Sequence, residues 1–179
     1  MIWFVSGPSC VGKSHFIGNE RNKLEEITYG KENSDTFKES FKVIQRVFTQ
    51  SRNWTKIKDN VIVVDLVLVQ YDIDGDNPWN GMWKQIYNSE IEKKVIVLGV
   101  SVSEYKRRIS QRMTARHGPS GVRFSDLLQN TSTTTMIQFY KDWIRELKSK
   151  GVSYLLVEAK QYKILEEDDF LNMIKGDTD

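Results

Sequence analysis

Residues 2–14 read IWFVSGPSCVGKS, and the expected fold follows from this stretch. Residues 2–5 are wholly apolar, which is typical of a parallel strand that helices cover on both faces. Residues 7–14, which we call the glycine loop, match the pattern G-x-x-x-x-G-K-S/T at every fixed position. A helix is expected to begin at Lys13, directly after the second glycine. The stretch therefore predicts a strand, a tight loop and a helix in direct succession.

The residue types in the glycine loop suit a bound phosphate chain. Gly7 and Gly12 permit sharp turns and leave the backbone open to close approach by a phosphate. Backbone N–H groups and the N-terminus of the following helix would then face the anion. Lys13 would reach the β- and γ-phosphates, and Ser14 would offer its hydroxyl to magnesium. We therefore expect ATP and Mg²⁺ as cofactors. The expected nucleotide-binding residues are Gly7, Ser9, Cys10, Val11, Gly12, Lys13, Ser14 and His15.

Strand-like and helical patterns alternate along the rest of the chain. Apolar runs at residues 61–64, 95–100 and 152–157 have the composition of buried strands. Such alternation predicts an α/β protein with a mainly parallel sheet and helices on both faces. The helical patterns cover residues 13–23, 36–52, 79–93, 103–116, 133–150 and 164–174.

Several details of these helices can also be predicted. In residues 36–52 the apolar side chains recur at three- and four-residue spacing, as on one face of an amphipathic helix. Residues 25–35 are polar and are expected to be irregular. Ser103 is a candidate N-cap, and Gly151 a candidate C-cap residue. The acidic run at residues 166–169 is expected at a helix N-terminus, where negative charge is stabilising.

The composition indicates one ordinary globular domain. The chain has 179 residues, of which 39% are hydrophobic and 28% charged. Its net charge of +2 excludes a uniformly basic nucleic-acid coat but allows a local basic patch. A single cysteine excludes an intrachain disulfide and favours a reducing, cytoplasmic location. No apolar run approaches the roughly 20 residues of a membrane span, so no membrane partner is expected.

Asp65 follows the apolar run at residues 61–64 and is the expected second acidic element of the site. An aspartate in an apolar strand is unfavourable unless it is paired or bound to an ion or substrate. We expect Asp65 to act as the general base or, together with Ser14, to bind Mg²⁺. The alternatives are a simple ion pair for Asp65, with Asp72 or Asp35 as the base.

The stretch after the third apolar run is rich in arginine. Arg108, Arg112 and Arg116 are four residues apart and therefore share one helix face. Guanidinium groups stay charged and make planar, bidentate contacts with phosphate oxygens. We expect these three arginines, with Lys13 and Asp65, to be the catalytic residues, carried on a lid around residues 103–131. The alternative is a solvated basic helix face.

At this point the chain resembles the nucleoside/nucleotide kinase-like branch of the P-loop NTPases. The matching elements are the glycine loop, Asp65 after an apolar run, and the arginines from Arg107 to Arg116 after the next run. The resemblance implies one three-layer domain over residues 1–179, with a five-stranded, mainly parallel sheet, ATP with Mg²⁺ and a mobile arginine lid. It leaves the acceptor open, because the chain lacks the Asp-Arg-Tyr/His signature and a glycine-rich lid pattern.

The expected function is therefore that of an ATP-dependent kinase. It would move the γ-phosphoryl group to a hydroxyl or phosphate of a nucleoside, nucleotide or related small molecule. One alternative is a kinase for a hydroxyl of a polynucleotide, held by base stacking and phosphate contacts. Another is a nucleotide-binding regulatory module or an NTPase without an acceptor. A GTPase is disfavoured because there is no Asn-Lys-x-Asp motif. A sulfotransferase-like use of the loop is disfavoured because Gly12, Lys13 and Ser14 suit a triphosphate.

Overall fold

The computed structural model describes residues 2–8, 10–29, 41–44, 61–67, 90, 92–115 and 131–176. For residues 41–44 and 61–67 it describes the backbone alone. Residues 79–89 and 91 of the helix predicted over residues 79–93, and residues 116–130 of the lid predicted around residues 103–131, lie outside this part of the chain.

The described residues form an α/β architecture around one mainly parallel sheet, as predicted. Its strands are β1 (Ile2–Gly7), β2 (Phe41–Ile44), β3 (Val61–Val67), β4 (Lys93–Gly99), β5 (Ser153–Glu158) and β6 (Lys163–Leu165). The strand order is β2-β3-β1-β4-β5-β6, so the described residues contribute six strands to the sheet rather than the five expected. The first five in this order run parallel, and β6 is antiparallel to β5.

Five helices belong to the described residues. They are α1 (Lys13–Asn19), α2 (Arg21–Tyr29), α3 (Val102–Ala115), α4 (Thr133–Ser149) and α5 (Glu167–Lys175). None of them is both long enough and apolar enough to cross a membrane.

The largest correction concerns residues 36–52, which were expected to be helical. Phe41–Ile44 is instead strand β2, paired in parallel with β3. The stretch FKVI contains aromatic and β-branched residues, which favour strands. A short apolar run can fit both helical and strand periodicity, and here pairing with β3 decides between them. Similarly, Lys93 begins β4 instead of ending a helix, because it pairs with Ile2 of β1.

Three predicted helix boundaries also change. The helix expected over residues 13–23 is interrupted at Glu20, whose φ of −109° and ψ of 41° are not helical. α2 then continues to Tyr29, where irregular chain was expected, because Leu24 is buried in the core. Residues 163–165 form β6, so the last helix begins only at Glu167.

The helix caps are partly as predicted. Ser101, not Ser103, caps α3, since its Oγ accepts a hydrogen bond of 3.3 Å from the backbone N–H of Glu104. Lys150, not Gly151, is the C-cap of α4, and Gly151 follows it with φ of 64°, the left-handed conformation that commonly ends a helix. The acidic run supplies Glu167, Asp168 and Asp169 to the first turn of α5, as predicted.

The core is centred on β4, in which Val95, Ile96, Val97 and Leu98 are completely buried. α4 packs on the sheet through Tyr140, whose hydroxyl donates to the Leu98 carbonyl at 2.8 Å. The Tyr140 ring also makes an edge contact with Phe170 of α5, with centroids 5.2 Å apart. The last residue of β4 is thus enclosed by α5.

We predict that Gly99→Ala destabilises the protein by about 1–3 kcal/mol through overpacking. A Cβ at Gly99 would lie 2.5 Å from Cζ of Phe170 and 2.7 Å from Cδ1 of Ile174. Urea unfolding at equilibrium measures the free energy change. The double variant with Phe170→Leu should cost less than the sum of the two single variants, because the smaller side chain relieves the overlap. Strict additivity would contradict the steric explanation.

Candidate functional site

The glycine loop leaves the sheet at its most enclosed position. β1 lies between β3 and β4, and its last residue, Gly7, pairs with Val67 of β3. From β1 the chain proceeds to β2 on one side of the sheet, whereas from β4 it proceeds to β5 on the other. In open α/β sheets, ligands bind in the crevice at such a reversal, outside the carboxyl ends of the strands. The glycine loop and the start of α3 flank this crevice.

The backbone of the glycine loop disfavours side chains at the positions of its two glycines. A Cβ at Gly7 would lie 2.8 Å from Cγ1 of Val11 and 3.0 Å from the Leu98 carbonyl oxygen. Gly12 has φ of 106°, a conformation that residues with a Cβ rarely adopt. A Cβ there would also lie 3.1 Å from Nη1 of Arg108. The wrapped path of the loop therefore depends on both glycines.

Lys13 folds back over the loop from the first residue of α1. Its Nζ donates to the carbonyl oxygens of Gly7 and Pro8, at 2.9 Å each. The side chain is only 6% exposed, so the ammonium group lies within the loop rather than in solvent. The loop is closed further by the N–H of Val11, which donates to the Pro8 carbonyl at 3.3 Å.

Arg108 of α3 also contacts the glycine loop, although it is 97 residues away from Val11 in the sequence. Its Nη1 donates to the Val11 carbonyl at 2.6 Å, and its Nη2 to the Ala159 carbonyl at 3.3 Å. Its Nε donates to Oε1 of Glu104, at 2.9 Å. One guanidinium thus joins the glycine loop, α3 and the turn between β5 and β6.

Glu104 is the acidic partner of this guanidinium. It also accepts two hydrogen bonds from Arg107, at 2.8 and 2.6 Å. The hydrogen bonds from Arg107, together with those of Arg108 and against the opposing effect of burial, lower the pKa of Glu104 from 4.5 to about 2. The carboxylate therefore stays charged at any pH near neutrality.

The turn at residues 159–162 is the part of the site that sequence reasoning missed. The Glu158 carboxylate accepts hydrogen bonds from the backbone N–H groups of Lys160 and Gln161, at 2.9 and 2.7 Å. Tyr162, with φ of 58°, stacks on Phe16 of α1 with ring centroids 4.9 Å apart. Burial, reinforced by the charge of Glu20, raises the pKa of the Tyr162 phenol. The only local signal for this turn is an acidic residue at the end of an apolar run.

The structure brings most predicted site residues together at one edge of the sheet. Those on the glycine loop or the start of α1 are Gly7, Cys10, Val11, Gly12, Lys13, Ser14 and His15, and Arg108 contacts them from α3. Cys10 is buried with φ of 71°, which suits a space-filling role. Ser14 and His15 are exposed. The His15 ring is 3.1 Å from Nδ2 of Asn19 and 3.4 Å from Oε1 of Glu20.

Other predicted residues are placed only in part. The backbone of Asp65 lies in β3 opposite Val5 of β1, two residues before the strand end that pairs with Gly7. Arg112 is exposed in the third turn of α3. Four residues lie outside the described part of the chain, namely Ser9, Arg116 and the two alternative candidates for the general base, Asp35 and Asp72. Among the residues that are described, no three His, Cys, Asp or Glu side chains form a metal site.

Comparisons with protein-family models, with curated proteins and with solved structures find no match for this chain. The function therefore has to be inferred from the glycine loop and from the side chains that contact it.

We predict that Glu104→Gln lowers the free energy of unfolding by about 1–2 kcal/mol at pH 7, because both arginine contacts weaken. The folded-state pKa, about 2, lies below the ordinary value of 4.5. The stabilisation is therefore complete above about pH 4.5 and is lost as the pH falls through 2. Urea titrations of both proteins at pH 7 and near pH 2 measure this difference.

The matched control for this prediction is Asp142→Asn, which removes the exposed ion pair with Arg145. Exposed pairs contribute little, so its effect should stay below about 1 kcal/mol. A Glu104→Gln difference that is the same at both pH values would contradict the ionised role of Glu104.

Proposed function

We propose that this chain is an ATP-dependent phosphotransferase with a P-loop kinase-like fold. It would transfer the γ-phosphoryl group to a hydroxyl or phosphate of a nucleoside, nucleotide or related small molecule. The observation that carries the proposal is the conformation of the glycine loop. Gly7 lacks space for a Cβ, Gly12 has a positive φ that other residues rarely adopt, and the Lys13 ammonium lies against the loop carbonyls. A backbone cradle with a cation inside it suits a polyphosphate.

Each part of the loop has a role in this proposal. The loop backbone from Gly7 to His15 would face the phosphate oxygens with its N–H groups, although Pro8 has none and that of Val11 also donates to the Pro8 carbonyl. Lys13 brings a positive charge to the β- and γ-phosphates. Ser14 would bind Mg²⁺, which adds positive charge at the phosphate oxygens when it is present, and Asp65 would join Ser14 at the metal only if another aspartate is the base. The single cysteine and the need for ATP fit a cytoplasmic location.

The proposed reaction is the transfer of a phosphoryl group from ATP to an acceptor. The bond between the γ-phosphorus and the oxygen of the leaving ADP breaks, and a bond from that phosphorus to the acceptor oxygen forms. With a hydroxyl acceptor, Asp65 takes the proton. Its position on β3, which ends at the same edge of the sheet as β1, supports this role. Arg112, exposed on α3, and Arg116 would neutralise charge on the transferred group.

The test of this function is ADP release from ATP and Mg²⁺ with a panel of acceptors. The panel contains nucleosides, nucleoside monophosphates, sugars, and single- and double-stranded DNA and RNA. We expect a nucleoside or nucleotide to stimulate release and to acquire the phosphate. Stimulation by a polynucleotide alone would favour the polynucleotide kinase. ATP binding with no stimulation by any acceptor would favour a binding module.

We predict that Lys13→Ala lowers the stimulated turnover at least about 100-fold, because a preorganised charge at the transferred group is lost. Circular dichroism should show an intact fold. Lys23→Ala is the matched control, since Lys23 is exposed on α2 and pairs only at the surface with Glu26. Full activity of Lys13→Ala would refute the glycine loop as the phosphate site.

We predict that Asp65→Asn lowers turnover about 10²- to 10⁴-fold while the Kd for ATP changes little, because the proton acceptor is lost. Single-turnover rates and calorimetric ATP binding separate the two effects. Asp35→Asn and Asp72→Asn serve as comparison variants. An unchanged rate for Asp65→Asn would transfer the role of base to whichever of these variants is slow.

A further inference from the structure

Arg108 differs from its neighbours on α3 in what it contacts. Its side chain is 22% exposed, whereas that of Arg107 is 57% exposed. Both arginines bind Glu104, but Arg108 also donates to two backbone carbonyls, one in the glycine loop and one in the turn at residues 159–162. Three of the five N–H groups of this guanidinium therefore already point at protein acceptors.

The contact with Val11 determines which way the next amide points. The peptide between Val11 and Gly12 is trans, so its C=O and N–H point in opposite directions. Its oxygen is 2.6 Å from Nη1 of Arg108. The N–H of Gly12 is consequently directed away from the guanidinium. If this peptide turned over, a carbonyl oxygen would replace an amide hydrogen and would repel a phosphate.

We propose that Arg108 is a positioning residue, which orients the peptide between Val11 and Gly12 so that the Gly12 amide binds phosphate. Its contacts with Glu104 and Ala159 keep the guanidinium at the loop. The inference rests on the proposed function and changes the role of Arg108 within it. Arg108 acts on the phosphate through the loop backbone instead of touching the transferred group.

Two other roles for Arg108 would change turnover and ligand binding in different ways. A guanidinium that contacts the transferred phosphoryl group would affect turnover more than binding. A guanidinium that stacks on a nucleobase would affect ATP but not a phosphate chain without a ring. Tripolyphosphate has three linked phosphates and neither sugar nor base, so it separates a loop effect from a ring effect.

The experiment is calorimetric binding of Mg²⁺–ATP and Mg²⁺–tripolyphosphate, with kcat and KM for ATP. The proteins are the wild type, Arg108→Gln, Arg108→Lys and the matched control Arg107→Gln. For Arg108→Gln we expect both ligands to weaken by the same factor, about 10- to 100-fold, as for one lost hydrogen bond to a charged group. KM should rise by that factor, and kcat should stay within about threefold.

The conservative variant tests the same point with less disturbance of the fold. A lysine at position 108 keeps the charge and can donate to one carbonyl, so we expect a smaller loss that is again equal for the two ligands. Arg107→Gln should bind both ligands like the wild type, within about twofold. The result for Arg108→Lys decides the matter if Arg108→Gln fails to fold.

A loss confined to ATP, or a fall in kcat with unchanged binding, would overturn the positioning role. Wild-type affinity of Arg108→Lys and Arg108→Gln would overturn it too, while leaving the phosphotransferase in place. A wild-type protein that binds neither Mg²⁺–ATP nor Mg²⁺–tripolyphosphate would overturn the proposed function, and the inference with it.

Discussion

The orientation of the carbonyls in the glycine loop is the constraint on which the candidate site depends. Lys13 binds the Gly7 and Pro8 carbonyls, and Arg108 binds the Val11 carbonyl. Where the next residue has an N–H, as Gly12 does after Val11 but Pro8 does not after Gly7, a rigid peptide that turns its oxygen toward a cation turns its N–H the other way. Concave rows of such N–H groups attract anions. In the proposed phosphate site, the direction of the loop backbone is thus set by cations that hold it from within the chain.

The loop needs a rigid base, which the end of β1 provides. The buried hydroxyl of Ser6, the residue before Gly7, donates to the Ile96 carbonyl of β4 and accepts from the Trp143 indole of α4. A buried hydroxyl is stable only when such partners satisfy it. The end of β4 is also bound to the turn that follows β5, since the Ala159 N–H donates to the Gly99 carbonyl at 2.8 Å. Neighbouring strand ends therefore position the loop and the turn at residues 159–162 together.

The sequence predicts the parts of this arrangement that local pattern determines. The apolar runs within β1, β3, β4 and β5 were recognisable because the central part of a parallel strand in a sheet covered on both faces is apolar at consecutive positions. The glycine loop was recognisable because its geometry needs fixed glycines. β2 and β6 are short and mixed in composition, so pairing with another strand decides their conformation. The stacking of Tyr162 on Phe16 joins opposite ends of the chain, and no local pattern encodes it.

The four-residue spacing of the arginines on α3 does not predict that their surroundings differ. Arg108 and Arg112 are four residues apart and share a helix face, yet a rise of 1.5 Å per residue separates them by about 6 Å along the axis. Arg108 is partly buried against the loop, whereas Arg112 is exposed. An arginine that fixes a loop peptide has to stay where it is, because its contacts define the amide beside it. An arginine that neutralises a transferred group has to reach the ligand and then move away from the site so that the product can dissociate. These requirements exclude each other for one side chain, so the proposed function gives the first role to Arg108 and the second to Arg112.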